Sequence, residues 1–447
     1  MKQALYLVAG LGKTGLSIAR YLHRKKVSFV VFDTRNEAPG LAEFRTEFPH
    51  VTVYLQEFPE ALISNLSDII TSPGLPLDSL FLKKALQSGV AVYGDIECLA
   101  REISAPVIAI TGTNGKSTVT TLVGEMAQAA GFRVAVAGNI GTPVLDLLDD
   151  GNQYDLWVLE LSSFQLDLTA SLTSAVATVL NVTPDHLDRH HTLEAYVQAK
   201  QRIYSHAQAA VFNREDRATV PTAAYAANLA CISFGQNTPE PGHWGLIKQD
   251  GKMYLAKGHD GLFPIDNLLI KGVHNWLNAL AACALADAAG IPRQSIIKVL
   301  RSFSGLPHRC QWVRSLAGVE WINDSKGTNV GATISAINGI GGTMQGKIVL
   351  IAGGQGKGAD FNELRQPLAD FVRSMVLIGE DADKIELALT GVVPIVRAAS
   401  LDHAVVLAQA QAQPGDVVLL SPACASLDMF RDFNHRGERF TALVNGL

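Results

Sequence analysis

Residues 110–118 read Ile-Thr-Gly-Thr-Asn-Gly-Lys-Ser-Thr, between the apolar run APVIAI and a segment of helical periodicity. These types at this spacing suit phosphate chemistry. Glycines at 112 and 115 let backbone N–H groups approach phosphate oxygens, and a helix starting near Lys116 adds the positive potential of its N-terminus. Lys116 can reach the terminal phosphates, and Ser117 can offer its hydroxyl to Mg2+. The stretch departs from the strict GxxxxGK[ST] pattern, because Ile110 stands where the first glycine belongs. Gly112, Thr113, Asn114, Gly115, Lys116, Ser117 and Thr118 nevertheless keep the working parts of a nucleotide cradle.

A second glycine turn, Gly10-x-Gly12-x-x-Gly15, lies between the strand-like ALYLVAG and the helix-like TGLSIARYLHRKK, and Asp33 ends the next apolar run. This is the dinucleotide fingerprint, with Asp33 placed for a ribose. Tight strand–helix packing without a ligand gives the same pattern. A sugar-nucleotide diphosphate fits the geometry as well as NAD or FAD does.

A third group of residues suits a metal. Glu160 closes LWVLE, His186 follows SAVATVLNV, and Lys200 sits in the helical stretch TLEAYVQAKQRIY. Mg2+ favours oxygen ligands and binds through carboxylates together with substrate phosphates and water, which suits Glu160. His186 is a less usual Mg2+ ligand, and a structural histidine is the alternative. Lys200 beside a metal makes sense only if its amine carries an anionic carbamate; otherwise a solvated surface lysine is the default reading.

Strand–helix–strand units recur to position these groups, which implies parallel sheets. After Lys116, Val119, Leu122, Val123, Met126 and Ala130 fall at helical spacing, so one helix face is buried. KIVLIAGG, SMVLIGE and DVVLLSP repeat the pattern later, and ligands gather at the carboxyl ends of such strands. The chain of 447 residues is too long for one ordinary core. The expected class is α/β in three domains, each a mostly parallel sheet flanked by helices, with limits at 1–96, 97–303 and 304–447. The last limit follows from the loop-forming Ser-Gly-Leu-Pro run after a helix.

Composition narrows the partners. A net charge of −5 with no basic block argues against nucleic acid. No apolar run is long enough for a membrane span, so no membrane insertion is expected. The five cysteines form no CxxC pair, which disfavours a zinc site or disulfide frame and is compatible with a reducing cytoplasm.

The motifs GTNGKST, LELSSFQL, NVTPDHLDRH, YVQAKQRIY, KGVHNWLNALAA, GLPHR, WINDSKGTN and LSPACASLDMF, in this order over essentially the whole chain, resemble the Mur ligases of peptidoglycan synthesis. The resemblance implies a Rossmann-like N-terminal domain for a UDP-sugar, a central ATP-binding domain and a Rossmann-like C-terminal domain for an amino acid. It further implies ATP-dependent addition of D-glutamate to UDP-N-acetylmuramoyl-L-alanine by a monomer in the cytoplasm. Leu11, Gly12, Thr14 and Gly15 would lie against the diphosphate, Asp33, Thr34 and Arg35 at the uridine, and Ser72, Pro73 and Gly74 nearby. Asn139 and His186 would face the muramoyl and metal region. Ser117, Glu160, His186 and a carbamylated Lys200 would hold Mg2+, with Mn2+ a substitute. Asn275, Asn278, Arg309 and Asp324 would bind ATP; Lys326, Thr328, Lys357, Ser426 and Phe433 would line the D-glutamate site.

In the implied reaction Lys116 stabilises transfer of the ATP γ-phosphoryl group to a carboxylate, with Lys200 supporting the metal. The amine of the amino acid then displaces phosphate, and His186 or a phosphate oxygen accepts its proton. Three ligands on three domains imply closure about residues 300–306. Parts of the sequence also suit two other classes. Gly10, Gly12, Gly15 and Asp33 alone would suit a nicotinamide-dependent oxidoreductase, and the Lys116 loop alone would suit a nucleotide-switched binding module.

Overall fold

The computed structural model describes residues 4–447 except 228, 343 and 357. The described chain carries three sheets. The first is ordered Val53–Leu55, Ser28–Asp33, Leu5–Ala9, Leu66–Thr71, Ala91–Tyr93, all parallel. The second has nine strands. Its parallel part runs Val134–Gly138, Leu156–Glu160, Val107–Thr111, Ser174–Val179, Ala207–Asn213, Ala230–Phe234, and Trp244–Gln249, Lys252–Lys257 and Asp260–Pro264 extend it. The third runs Gln311–Leu316, Val319–Asn323, Val417–Leu420, Ile348–Gly353, Val372–Ile378, Ile395–Arg397, with only its first pair antiparallel. The expected α/β class with mostly parallel sheets flanked by helices is therefore what the chain adopts.

Burial explains these choices. Every residue of Val107–Thr111, Leu156–Glu160 and Ile348–Gly353 is buried, as expected of parallel strands covered on both faces. The helix Lys13–Arg24 buries Gly15, Leu16, Ile18, Ala19 and Leu22 and leaves Lys13, His23 and Arg24 outside. This is a single apolar stripe turned to the sheet.

By compactness the chain divides into two units. One holds the chain to Gln249 with Leu255–Leu262 and Ala279–Val299; the other holds Asp250–Tyr254, Phe263–Asn278 and Leu300–Leu447. Within the first unit, Glu97 ties the flank of the five-stranded sheet to the nine-stranded one. Its buried carboxylate accepts bonds from the Ala170 N–H (2.8 Å), the Ser171 N–H (2.9 Å) and the Ser171 hydroxyl (2.8 Å), and Arg101 adds a fourth at 3.0 Å. Burial pushes the Glu97 carboxyl up, but these donors together hold it below the usual carboxylate range.

The Gly10–Gly15 turn is set by close approach. A Cβ on Gly15 would lie 1.9 Å from the Gly10 carbonyl oxygen, so the helix start can pass the turn only as glycine. Gly15→Ala is expected to lower stability by about 1–3 kcal/mol, and a fall in the urea denaturation midpoint would register it; an unchanged midpoint would show that the turn relaxes freely.

Candidate active site

The loop between Val107–Thr111 and the helix Lys116–Ala129 is formed by Gly112 at φ +155° and Gly115 at φ +81°, both backbone regions open to glycine. Gly115 is the N-cap, so the free N–H groups of the first helical turn open toward the loop. The Lys116 ammonium donates to the carbonyls of Gly112 and Thr113, each at 2.9 Å.

Lys200 meets the same loop. It lies on Leu193–Gln201, capped by the Thr192 hydroxyl, which accepts from Ala195 N–H at 3.1 Å. Tyr196, Ala199 and Lys200, at helical spacing, form the buried face. Lys200 is only 1% exposed, so the surface-lysine reading is wrong: its ammonium donates to the Gly112 carbonyl at 2.8 Å and stands 4.5 Å from the centre of the Tyr196 ring. Burial, and secondarily the nearby charge of Lys116, bring its amine down to about 7.

Glu160 ends the strand beside Val107–Thr111, paired with Ile110. Asn139 orients it twice: the Asn139 backbone N–H donates to the Glu160 carbonyl at 2.8 Å, and the Asn139 amide donates to Glu160 Oε1 at 2.9 Å. The other oxygen, Oε2, is buried and has no hydrogen-bond partner. A buried carboxylate oxygen left open fits a hard cation. Among the described residues no three His, Cys, Asp or Glu side chains gather to hold a metal. The site therefore suits an ion that takes one or two protein oxygens and draws the remainder from phosphates and water, with Ser117 on the first helical turn offering another.

His186 sits at φ +51°, exposed, with Nε2 3.5 Å from an Asp185 carboxylate oxygen and its ring 5.1 Å from that of Phe164. Phe164 in turn stacks on His190, whose Nε2 shares a hydrogen bond with the Ser163 hydroxyl at 2.9 Å.

The predicted UDP-sugar residues other than Asn139, which follows Val134–Gly138 of the nine-stranded sheet, gather at the carboxyl edge of the five-stranded sheet. Gly10 N–H donates to Phe32 O at 2.7 Å, and Ser72 N–H to Ala9 O at 2.8 Å, which draws the three loops together. Asp33 is almost fully buried but is not presented bare to a ribose. Its oxygens accept from Leu11 N–H at 2.7 Å, from Arg35 N–H at 2.9 Å and from the Arg35 guanidinium at 2.8 and 2.9 Å. Burial raises this carboxyl, yet those donors hold it low. Thr34 and Arg35 are exposed beside it, Thr14 is half-buried, and Pro73 and Gly74 follow Ser72 at the edge.

In the second unit, Asp324 leaves Val319–Asn323 and accepts from the Ser421 hydroxyl at 2.7 Å and Cys310 N–H at 3.1 Å, while burial pushes its carboxyl up to about 6. Arg309 is exposed nearby in sequence. Lys326 lies 3.9 Å from the centre of the Phe433 ring, and Thr328 N–H donates to Lys326 O at 2.8 Å. Ser426 is buried in the loop after Val417–Leu420. Asn275 and Asn278 are buried on one helix, and the Asn278 amide donates to Asn275 Oδ1 at 3.2 Å. Lys357 lies outside the described residues.

The structure adds participants that sequence reasoning passed over. Asn181, Thr183 and Tyr196 bond the phosphate loop; the signals were NVTPDH, from which only the histidine was taken, and YVQAKQRIY, from which only the lysine was taken. Arg436, 1% exposed, donates to the Ser325 hydroxyl at 3.0 Å and to the carbonyls of Ser325 and Cys424, at 2.9 and 3.2 Å. It thereby holds the strand-end loops that carry Lys326 and Ser426 to the helix of Phe433; nothing in its sequence setting marked it. A cavity of about 700 Å³ bounded by Trp244, Lys257, Asp260, Asp287 and Arg293 includes none of the predicted residues.

A phosphate loop, an open carboxylate oxygen and a buried lysine in one sheet edge, with an acid and cations at the edge of another, define an ATP-using ligase architecture, and family models agree. Residues 4–94 match the Mur ligase MurD-like N-terminal domain, 110–286 the Mur ligase middle domain and 308–424 the Mur ligase glutamate ligase domain. The chain belongs to the Mur ligase family. It is 73% identical over 447 residues, all of both chains, to the UDP-N-acetylmuramoylalanine–D-glutamate ligase of Legionella pneumophila strain Philadelphia 1. It is 51% identical over 441 residues to that of Pseudomonas aeruginosa PAO1, covering 99% of this chain and 98% of the relative. The fold is shared with solved ligases at low identity. MurC of Thermotoga maritima superposes with a TM-score of 0.56 at 16% identity over 99% of both chains. MurF of Acinetobacter baumannii gives 0.56 at 18%, over 99% of this chain and 92% of the other.

Glu160→Gln keeps the side-chain volume and removes the charge from Oε2. The Mg2+ concentration for half-maximal ATP turnover should rise at least about tenfold, as read by titrating Mg2+ in a phosphate-release assay; an unchanged requirement would remove Glu160 from the metal site.

Proposed function

We propose that this chain joins D-glutamate to UDP-N-acetylmuramoyl-L-alanine, releasing ADP and phosphate. The observation that carries this reading is 73% identity along the full length to a ligase of that name. Family membership sets aside the oxidoreductase and switch-module alternatives.

The chemistry begins with a carboxylate, a poor electrophile. One of its oxygens attacks the γ-phosphorus of ATP, the bond to the β-phosphate oxygen breaks, and ADP leaves. Two anions must meet, and like charges 4 Å apart repel by about 4 kcal/mol at a near-surface effective dielectric. Lys116 and the N–H groups of the first helical turn supply fixed positive charge against this, in place before the reaction starts. When bound, Mg2+ would neutralise phosphate charge, held by Glu160 and Ser117 with His186 and Lys200 alongside; Mn2+ would serve the same donors. The amine of D-glutamate then attacks the carbonyl carbon, the C–O bond to phosphate breaks, and the amine proton goes to a base.

The remaining assignments belong to the same proposal. Leu11, Gly12, Thr14, Gly15, Asp33, Thr34, Arg35, Ser72, Pro73, Gly74 and Asn139 serve the UDP substrate; Asn275, Asn278, Arg309 and Asp324 serve ATP. Lys326, Thr328, Ser426 and Phe433, with Lys357, serve D-glutamate, whose two carboxylates call for such cations and hydroxyls. Domain limits at 96 and 303, a monomeric state and a cytoplasmic location complete it. Among the described residues no helix is long and apolar enough to cross a membrane.

Phosphate release with UDP-N-acetylmuramoyl-L-alanine and ATP should depend on D-glutamate and on no other single amino acid. With both oxygens of the alanyl carboxylate labelled with oxygen-18, one label should appear in the released phosphate, as read by mass spectrometry; unlabelled phosphate would end the acyl-phosphate mechanism.

Lys200 is proposed to carry a carbamate. Its amine is buried against the loop and shares the Gly112 carbonyl with Lys116, so a second cation is disfavoured there and an anion favoured. The neutral amine attacks CO2, one proton is released, and the N–COO− group supplies oxygens. With ¹³C-bicarbonate, NMR should show one protected carbamate carbon in the parent and none in Lys200→Ala, and short carboxylic acids should partly restore activity to that variant. A parent spectrum without the resonance would refute the modification.

A further inference from the structure

We infer that Asn181 is a positioning residue for the phosphate loop, setting the direction of its N–H groups; the inference rests on the ATP-dependent reading above. The strands Val107–Thr111 and Ser174–Val179 are parallel neighbours, with Thr111 opposite Val179. Their outgoing loops leave the sheet side by side and stay bonded: Leu180 N–H donates to Thr111 O at 2.9 Å, and Thr113 N–H donates to Asn181 O at 2.9 Å. The next rung is made by a side chain. Asn114 N–H donates to Asn181 Oδ1 at 2.8 Å, and the Asn181 amide donates back to Asn114 O at 3.0 Å. A carboxamide carries donor and acceptor in one plane, so Asn181 imitates a peptide and pairs with the loop as a strand would. Beside it, Thr183 N–H donates to the Thr113 hydroxyl at 3.1 Å, and that hydroxyl lies 3.3 Å from Tyr196 OH.

These bonds fix the peptides on both sides of Asn114, immediately before Gly115 turns to start the helix. Phosphate recognition by a backbone loop depends on where its N–H groups point, and a loop held in place beforehand loses no free energy to reordering at binding. Asn181 acts through Asn114.

Asn181→Asp is isosteric: it keeps the acceptor for Asn114 N–H and replaces the donor with an oxygen facing the Asn114 carbonyl. Asn181→Ala removes both bonds. Binding of ADP with Mg2+, measured by calorimetry, should weaken at least about tenfold in both variants. KM for ATP should rise by a similar factor, with KM for UDP-N-acetylmuramoyl-L-alanine and D-glutamate changed less than about twofold. A variant that merely loosened the fold would shift all three. If Asn181→Ala does not fold, Asn181→Asp decides. Unaltered ADP affinity in a folded variant, or equal rises in all three KM values, would overturn the assignment. Direct ADP binding by the parent is independent of amino-acid choice, so failure of the D-glutamate assay would leave this test readable.

Discussion

Two lysine amino groups, Lys116 and Lys200, converge on one carbonyl oxygen, that of Gly112. Burial and the neighbouring Lys116 charge disfavour a second ammonium at Lys200, which leaves Lys116 and the helix N-terminus as the loop's fixed positive charge. That charge suits polyanion binding. A triphosphate with an attacking carboxylate is among the more negative assemblies an active site must hold, and positive charge built into the empty loop is not reorganised when the reaction starts. Glu160 offsets part of the effect on Lys200, since its negative field opposes the drop in that amine. The Asn139 clamp keeps that carboxylate from swinging away.

The sheet makes this convergence geometric. Three strands ending at Thr111, Glu160 and Val179 are hydrogen-bonded neighbours in parallel register, so the phosphate loop, the carboxylate and the NVTPDH segment must emerge at the same edge. The helix Leu193–Gln201 then returns across that edge and delivers Lys200 from its buried face. The second unit repeats the scheme: Asn323 pairs with Leu420, which sets Asp324 beside Ser421 at a common strand end.

What the sequence made legible was local. VIAIT followed by two glycines, lysine and serine announces a buried strand, a turn and a helix N-terminus, because each step has its own steric or electrostatic cause. Lys116 and Glu160 could be read because their chemistry and their place at strand ends agree. Partners brought in from distant sequence could not be read from residue type and spacing. Lys200 on an amphipathic helix looks like a solvated charge until the helix is docked, and only the family resemblance placed it at the metal. Asn181 looks like one more polar residue after a strand until Asn114 is laid against it. The antiparallel entry strand Gln311–Leu316 likewise depends on pairing with Val319–Asn323, not on any period of its own.

Arg436 shows how far such support can sit from the chemistry. Its guanidinium is buried and bonded to two carbonyls and a hydroxyl. Burial pulls its usually very high value down to about 10, and it remains charged at neutral pH. Burying a cation is expensive even with the fields of Asp428 and Asp324 favouring it, and an apolar residue would pack there more cheaply if packing were its only task. Five donors in a fixed fork can hold several loop carbonyls at once, which no apolar side chain can do. The same logic applies to Asp33, whose carboxylate joins the Leu11 turn to Arg35, and to Glu97, which joins two sheets. In each case a buried charge is spent on backbone position. Charged groups placed behind the strand ends thus hold the Leu11 turn and the Ser325 and Cys424 loops, as the neutral Asn181 amide holds the phosphate loop.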